Sequence, residues 1–226
     1  MTWFKKFRHH WGILLKDKAF LISLFVGFGL LVAAYASNVL ASTYNDVGVY
    51  NSVGDLLLDN IRTYNLRFSY TWIMYFIITM IFVYPIFFEP EIVPFSFKTF
   101  AMLMFLRSAC ILMTNLGPPE GFFYADMPIS FDVLPDLVFR NDLFFSGHTA
   151  YPFLAFLIYK NCSWRWFFLL GSILEGATVL LMHIHYSIDV FAAFFFAFGI
   201  YSISSRIFSR LNVRFTDRIK NFKFNP

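Results

Sequence analysis

Long apolar stretches separated by short polar or proline-containing segments dominate the hydropathy pattern of this chain. Several of them approach the roughly 20 residues that an α-helix needs to cross the hydrocarbon core of a bilayer. Because a chain in lipid must satisfy its backbone hydrogen bonds internally, the pattern predicts an all-α fold, a polytopic membrane bundle of about six transmembrane helices. The predicted spans are residues 19–41, 70–88, 95–115, 147–161, 164–182 and 186–205.

Two polar segments, residues 42–69 and 116–146, interrupt this pattern. Both are too polar to be buried in lipid, and the second also contains several prolines. Their acidic residues are Asp46, Asp55 and Asp59 in the first segment, and Glu120, Asp126, Asp132, Asp136 and Asp142 in the second. We expect these segments to form the two long loops of the protein.

The composition excludes a soluble globular protein. Of 226 residues, 58% are hydrophobic and 14% are charged, whereas soluble domains have about 45–50% apolar and about 25% charged residues. The apolar run after the basic N-terminus is too long for the core of a cleaved signal peptide, which predicts a retained first helix. We therefore divide the chain into a basic N-terminal segment at 1–18, a six-span catalytic membrane domain at 19–205 and a basic tail at 206–226.

Positive charge sets the expected orientation, because Lys and Arg accumulate on the cytoplasmic side of membrane proteins. In a six-span bundle the two termini and the connection at 161–165 share one side of the membrane, and both acidic loops share the other. The basic residues are Lys5, Lys6, Arg8, Lys16 and Lys18, then Lys160 and Arg165, then Arg206, Arg210, Arg214, Arg218, Lys220 and Lys223. The termini are therefore predicted to be cytoplasmic, and the loops to face the periplasm, the cell exterior or an organelle lumen.

The basic ends also indicate the partners of the chain. They account for the formal net charge of +4. A basic segment next to a membrane span is typical of proteins that bind anionic lipid headgroups. We expect membrane lipids as partners and no role in binding nucleic acid.

Two short motifs carry the candidate chemistry, because ionisable residues at membrane depth are costly and tend to be functional. They are Ser146-Gly147-His148-Thr149, where the second loop enters the fourth span, and His185-Tyr186-Ser187-Ile188-Asp189, where the sixth span begins. On a helix, His185 and Asp189 lie on one face within side-chain reach. A carboxylate bonded to one ring nitrogen fixes the tautomer and leaves the other nitrogen as a nucleophile or base. His148, from another helix, supplies a second acid or base.

The small residues of the first motif favour an anionic substrate. Gly147 lets backbone amides approach an anion, and a helix N-terminus beside Ser146 adds favourable partial charge for a phosphate. One alternative is that the histidines are interfacial residues bonded to loop carbonyls, and another is that they bind a metal. Zinc is disfavoured because His183 and His185 are two residues apart and point to different faces of a helix. We expect no metal and no cofactor.

At these motifs the chain resembles sphingomyelin synthases and related proteins, a branch of the type 2 phosphatidic acid phosphatase superfamily. The resemblance extends from about Val53 to Arg206. Asn141-Asp142 stands where the synthases usually have Gly-Asp before Ser-Gly-His. The additional matching positions are Arg107, Thr114 and Pro118 in the third-span motif, and Val53-Gly54-Asp55 as a weaker echo of the first-loop motif.

The resemblance implies a six-span fold and a two-step displacement at phosphorus. His185 would attack to give a phosphohistidine, Asp189 would orient it and stabilise its positive charge, and His148 would protonate the leaving oxygen. An acceptor alcohol or water, activated by His148 acting in reverse, would then release the product. Such chemistry requires no metal.

Departures from the family patterns bear on the substrate. The Lys-x6-Arg-Pro element with which the soluble-phosphatase branch holds a phosphomonoester is absent, and Arg107 is the one buried cation available from the third span. A single clamp suits the single charge of a phosphodiester, which favours headgroup transfer or phospholipase C-like cleavage of a phospholipid or sphingolipid. The synthases, however, usually have an acidic residue where this chain has Ile184, and a doubled arginine in their third-span motif.

Two further classes of function remain as alternatives. The first is a lipid phosphate phosphatase that uses the same residues with water as the acceptor. The second is a small transporter or scaffold in which the His/Asp cluster relays protons. Transport favours helices broken by Gly or Pro at the membrane midplane, and such breaks are not evident in the sequence.

Three more charged residues are candidates for substrate binding. Arg107 and Glu175 are predicted at similar depth, so they form either a buried ion pair or part of the site. In the site, Arg107 would hold the phosphate in competition with Glu175, which would accept a proton or recognise a cationic headgroup. Asp142 is either a site residue or a cap before the fourth span.

Overall fold

The computed structural model describes residues 3–123, 141–160 and 164–222, and these residues form helices and connections without a β-strand. The prediction of an all-α fold is therefore confirmed for this part of the chain. The helices are α1 (Trp3–Leu14), α2 (Lys18–Asp46), α3 (Met74–Phe88), α4 (Val93–Met113), α5 (Gly147–Ile158), α6 (Arg165–Leu181) and α7 (Ser187–Phe222). A π-helical turn at Ser69–Ile73 leads into α3, and short 3-10 turns lie at Leu58–Asn60 and Pro90–Ile92.

Each predicted span corresponds to one of the helices α2 to α7. Within the part of the chain that the structure describes, four helical segments are long and apolar enough to cross a membrane, namely Lys18–Asp46, Ser69–Phe88, Pro90–Met113 and Ser187–Asp217. The other two helices are shorter, with 12 residues in α5 and 17 residues in α6. At about 1.5 Å per residue, α5 covers roughly 18 Å, less than the hydrocarbon core. The number of six transmembrane spans stays a prediction.

Helix α4 is the central element of the bundle. It packs along α2 over most of its length, and α7 packs against both α4 and α5. Gly27 makes the α2–α4 contact close, since a Cβ there would lie 3.1 Å from the Pro94 carbonyl oxygen. The main apolar core joins α3, α4, α5, α6 and α7, and its fully buried members include Ile77, Leu103 and Leu154.

The outward surface of the bundle is apolar, as expected for helices in contact with lipid. Large exposed side chains include Ile22 and Phe25 on α2 and Phe191, Phe195 and Phe198 on α7. Contiguous apolar surface of this extent is rare on soluble monomers. The surface therefore supports a membrane location for the bundle.

Helix α7 is much longer than a membrane span. Its 36 residues correspond to roughly 54 Å at 1.5 Å per residue, so its C-terminal part extends past the hydrocarbon core. This part packs on the N-terminal region through Leu14, Phe20 and Phe215. Arg214 also lies 3.3 Å from the buried Asp17 carboxylate. The basic tail predicted from residue 206 thus continues α7 and is held by α1 and the start of α2.

The predicted orientation can be tested by cysteine labelling in intact cells, after replacement of Cys110 and Cys162. Val49 is 98% exposed after α2. As Val49→Cys it should become reactive to an impermeant thiol reagent, because the first loop is predicted to face outward. Ser209→Cys on the exposed C-terminal part of α7 should react only after the cells are permeabilised. The opposite pattern would invert the topology together with the side from which substrate enters.

Candidate active site

His185 and Asp189 meet at the start of α7. His185 lies two residues before the helix, and Asp189 lies in its first turn, so the pair does not share a helix face as predicted. The contact is nevertheless made, with 3.3 Å between His185 Nδ1 and Asp189 Oδ2. The same carboxylate oxygen accepts a hydrogen bond from the Tyr186 backbone N–H at 3.0 Å. The carboxylate is therefore fixed from two sides.

The tautomer of His185 follows from its partners. Nδ1 lies 3.1 Å from the Leu143 carbonyl oxygen as well as 3.3 Å from Asp189 Oδ2. Both partners are acceptors, so Nδ1 carries the hydrogen and donates it. Nε2 then keeps a free lone pair, the form required of a nucleophile or base.

His148 is the second residue of α5 and lines the same cavity as His185. Its ring stacks on the Tyr70 ring, with 4.2 Å between centroids and 19° between planes. The backbone N–H of Ser146 donates to the Asp189 carbonyl oxygen at 3.2 Å, which joins the two motifs directly. The predicted meeting of His148, His185 and Asp189 is thus what the structure contains.

The side chain of Ser146 is fully buried and does not line the cavity. Its hydroxyl oxygen accepts a hydrogen bond from the Thr149 hydroxyl at 3.3 Å. Gly147, in contrast, belongs to the cavity wall. A Cβ on Gly147 would lie 3.4 Å from Arg107 Nε and 3.1 Å from the Tyr151 ring, so glycine gives the guanidinium room beneath the start of α5.

Arg107 is buried against the segment that precedes α5. Its Nε donates to the Phe145 carbonyl oxygen at 3.0 Å, and Nη1 donates to Asn38 Oδ1 at 3.1 Å. Nη2 lies 2.8 Å from Asp142 Oδ1, a close ion pair rather than an aligned hydrogen bond. The guanidinium therefore binds acceptors from α2 and from both ends of residues 142–145.

The predicted ion pair between Arg107 and Glu175 is wrong, because Asp142 takes that place. Glu175 is fully buried on α6 and is not part of the cavity wall. Neither of its carboxylate oxygens has a hydrogen-bond partner among the described residues. The nearby Ser69 hydroxyl is bonded to Thr178 at 2.9 Å instead.

The cavity is mostly apolar and contains a cluster of charged and imidazole side chains. Its volume is about 550 Å³, and this cluster is formed by Arg107, Asp142, His148 and His185. The remaining wall is mainly apolar and extends along α3 from Tyr70 to Phe82, a distance of roughly 18 Å at 1.5 Å per residue. Residues of α2 and α4 complete this wall, among them Leu31, Val32, Tyr35, Phe100 and Met104.

The first loop is tied to the start of α7 rather than to the cavity. Asp55 Oδ2 accepts a hydrogen bond from the Ser187 backbone N–H at 2.7 Å, and Oδ1 accepts from Leu57 and Leu58. Burial alone would raise the pKa of Asp55, but the hydrogen bonds from Ser187, Leu58 and Leu57 outweigh it and hold this pKa below its usual value. Asp55 thus caps α7 just before the helical turn that holds Asp189.

Two asparagines hold the segment before α5 on the end of α2. Asn45 Nδ2 donates to the Asn141 carbonyl oxygen at 2.7 Å, and Asn141 Nδ2 donates back to the Asn45 carbonyl oxygen at 3.2 Å. The Asn141 backbone N–H also donates to Asp46 Oδ1 at 3.0 Å. Asp142 therefore lines the cavity next to a fixed anchor, and it does not cap α5, whose N-cap is Ser146.

The residues that could bind metal do not converge. Within 3–123, 141–160 and 164–222, no group of three His, Cys, Asp or Glu side chains lies close enough to hold one ion. His183 has a left-handed backbone with φ of 51° at the end of α6. Its Nδ1 lies 2.8 Å from the Glu120 carbonyl oxygen. The interpretation of a histidine bonded to a loop carbonyl therefore applies to His183. His185 is also bonded to a loop carbonyl, that of Leu143, but it contacts Asp189 and lines the cavity as well.

Both histidine motifs lie in a region that matches a known protein family. Residues 141–206 match the PAP2 superfamily C-terminal domain. No curated protein and no solved structure matches the chain. The PAP2 region contains both histidine motifs and Asp142, and it supports the predicted superfamily. The match indicates phosphatase- or phosphotransferase-type activity; the resemblance to sphingomyelin synthases in particular stays a prediction.

Sequence reasoning missed two residues of the site, and both lie outside the PAP2 region. Asn38, on α2, is a polar residue inside a predicted span, and the cost of burying its amide could have marked it. Tyr70 gave no such signal, because tyrosine is common at the ends of membrane spans. Its position on His148 depends on the π-helical turn.

The link between Asp55 and Ser187 predicts a pH-dependent contribution to stability. A carboxylate accepts on both oxygens, whereas the amide of Asp55→Asn accepts on one and presents a donor to another N–H. The variant should melt several degrees below wild type at pH 7. Because the pKa of Asp55 is lowered by folding, this difference is present above about pH 4 and should shrink as the pH falls further.

Thermal unfolding of the detergent-solubilised protein measures this effect. Asp59→Asn in the same loop is the matched control, since Asp59 is exposed and should change the melting temperature little. Equal melting of Asp55→Asn and wild type at pH 7 would show that the cap contributes nothing.

Proposed function

We propose that the protein is a membrane-embedded lipid headgroup phosphotransferase or phospholipase C-like enzyme that works through a phosphohistidine on His185. The observation that carries this proposal is the fixed tautomer of His185. With Nδ1–H shared between Leu143 and Asp189, Nε2 is the nitrogen left to attack phosphorus. The PAP2 domain supports chemistry of this general type.

In the first step, His185 Nε2 forms a bond to phosphorus while the ester bond to the lipid oxygen breaks. His148, in its protonated form, transfers a proton to that oxygen, so that diacylglycerol or a related alcohol leaves. The phosphorylated imidazole keeps its hydrogen on Nδ1 and carries a positive charge. Asp189, 3.3 Å from Nδ1, stabilises this charge.

In the second step, an acceptor hydroxyl replaces His185 on phosphorus. Neutral His148 removes the proton of the acceptor, the new oxygen–phosphorus bond forms and the nitrogen–phosphorus bond breaks. With a lipid alcohol as acceptor the reaction is headgroup transfer, and with water it is phospholipase C-like cleavage. Both histidines end in their starting protonation states.

A lipid substrate is supported by the shape of the cavity. The apolar wall that extends along α3 suits an acyl chain, and the polar cluster contains both histidines and Arg107. Pockets with mostly apolar walls and a few polar groups at one end orient amphipathic ligands in this way. In this arrangement the ester phosphate lies at the histidines while the chain stays in an apolar environment.

The Arg107–Asp142 pair supports a phosphodiester over a phosphomonoester. Asp142 lies 2.8 Å from the guanidinium and offsets its charge. A monoester with two negative charges would meet this carboxylate at close range, whereas a diester carries only one. The alternative function, a lipid phosphate phosphatase acting on phosphatidate or a related monoester, uses the same His148, His185 and Asp189 with water.

A panel of labelled lipids separates these activities. The purified protein is incubated with phosphatidylcholine, phosphatidylethanolamine and phosphatidate, each with and without ceramide, and the products are separated. Diacylglycerol with a new phospholipid indicates headgroup transfer, and diacylglycerol with a free phosphorylated headgroup indicates phospholipase C-like cleavage. We expect one of these two results. Release of inorganic phosphate from phosphatidate alone would favour the phosphatase instead.

The variants His185→Ala and His148→Ala test the mechanism in the same assay. Each should abolish turnover while the protein still folds, and the double variant should be little worse, because the two groups act as a unit. Substantial activity in His185→Ala would contradict the phosphohistidine.

We also expect EDTA to leave the activity intact, because the proposed chemistry uses imidazole groups. Loss of activity with EDTA and its recovery with zinc would contradict a mechanism based on imidazole alone.

Asp142→Asn should shift the preference of the enzyme towards phosphomonoesters. Removing the carboxylate should raise the ratio of phosphatidate to phosphodiester turnover by about tenfold or more, since tenfold corresponds to about 1.4 kcal/mol. Two charges 4 Å apart interact by about 4 kcal/mol at an effective dielectric constant of 20. Loss of this repulsion is therefore large enough to change the ratio about tenfold. The measurement is the ratio of kcat/KM for phosphatidate and for the best diester of the panel.

Asp59→Asn is the matched control for this ratio, because it removes an acidic residue from the same side of the protein without touching the cavity. Its ratio should equal that of wild type. An unchanged ratio in a folded Asp142→Asn protein would show that Asp142 does not select against the second charge.

A further inference from the structure

The closest aromatic contact of the site joins Tyr70 and His148. Their rings are nearly parallel, 19° apart, with centroids separated by 4.2 Å. Both residues line the cavity, and Tyr70 stands at the end of its apolar wall. The Tyr70 ring also packs on a small apolar cluster that contains Val179, Ile184 and Val190. One face of His148 is therefore covered by an aromatic ring.

A π-helical turn brings Tyr70 to this position. The turn spans Ser69–Ile73, directly before α3. A π-helical turn contains one more residue than an α-helical turn, so it rotates the residues before it relative to the rest of the helix. π-Helical turns are rare in proteins, but those that do occur are frequently found at functional sites.

Helix α6 fixes both rings relative to each other. On one side, the Ser69 hydroxyl lies 2.9 Å from the Thr178 hydroxyl. On the other side, the Ser172 hydroxyl donates to the Thr149 carbonyl oxygen at 2.7 Å. The neighbours of Tyr70 and His148 are thus bonded to one helix, at two positions six residues apart. This arrangement holds the stack at both edges.

A fixed imidazole matters for proton transfer, because the donor must point at the leaving oxygen when the ester bond breaks. Stacking leaves the ring free to shift only within its own plane, and parallel aromatic pairs are favourable in themselves. The face of a tyrosine ring also attracts a cation, so it favours the protonated form that His148 takes in the first step. Arg107 and His185 line the same cavity from other elements.

We infer that Tyr70 is a positioning residue, whose ring holds His148 in the orientation in which it protonates the leaving oxygen. The inference rests on the proposed role of His148 as an acid. It does not depend on whether the substrate is a diester or a monoester. The ring, and not the phenol hydroxyl, makes the contact.

The test compares two leaving groups in Tyr70→Leu. With the best phosphodiester of the lipid panel, kcat/KM should fall about tenfold or more, a modest part of the roughly 100- to 10,000-fold that general acid catalysis contributes. With the matching 4-nitrophenyl phosphodiester, kcat/KM should change less than about twofold, because nitrophenolate leaves without a proton. The value of kcat/KM depends only on steps up to release of the leaving group. The attack of the acceptor on the phosphohistidine therefore does not affect this comparison.

Two further variants control for general damage. Tyr70→Phe keeps the ring and should restore most of the activity towards the lipid. Trp72→Leu removes an aromatic residue from the same π-helical turn, but Trp72 is exposed and lies outside the cavity, so both substrates should be turned over as in wild type. Equal losses on both substrates in Tyr70→Leu, or a Tyr70→Phe protein as poor as Tyr70→Leu, would overturn the inference.

Failure of the proposed diester activity is distinguishable from failure of this inference. If the panel shows only monoester hydrolysis, phosphatidate and 4-nitrophenyl phosphate replace the diester pair, with the same expected contrast. The stack itself is tested without turnover by the rate at which diethyl pyrocarbonate modifies His148, followed by mass spectrometry. The rate should rise in Tyr70→Leu and stay low in Tyr70→Phe, and equal rates in wild type and Tyr70→Leu would show that the ring does not cover His148.

Discussion

The buried guanidinium of Arg107 is the contact on which the arrangement of the site depends. It binds Asn38 of α2, the carbonyl oxygen of Phe145 and the carboxylate of Asp142. A buried charge without such partners would cost several kcal/mol, so the segment before α5 is held where it satisfies them. That segment also supplies the Leu143 carbonyl that fixes the tautomer of His185. One cation in α4 thus sets the position of both histidine motifs.

The PAP2 region and the helices that precede it contribute different parts of the candidate site. The PAP2 region, residues 141–206, contains the two histidines and Asp189, which carry the proposed transfer of the phosphoryl group. The apolar cavity wall is built largely from α2, α3 and α4, which precede that region. In the proposed function, the part of the chain that contacts the acyl chain therefore lies outside the region that the family comparison covers.

The sequence predicted the helices and the three central residues well, because hydropathy and short motifs are local signals. It failed for Arg107, since its partner Asp142 lies 35 positions away and Glu175 was chosen by depth alone. Membrane depth gives one coordinate of a residue, whereas an ion pair also depends on rotation about the helix axis. The same limit applies to Tyr70, whose direction is set by a π-helical turn. His185 lies before α7 because Ser187, capped by Asp55, begins the helix.

The length of α7 has a mechanical consequence for the distant site. One continuous helix carries Asp189 in its first turn and Phe215, packed on Phe20, near its other end. Asp189 and Phe215 are roughly 39 Å apart along this helix, so a pivot of about five degrees at Phe215 would move Asp189 by as much as the 3.3 Å that separate it from His185. The contacts of Phe215 and Arg214 with the N-terminal region thus hold the C-terminal part of α7 in place. The alignment of the candidate site is maintained in part at the far end of α7 from the histidines.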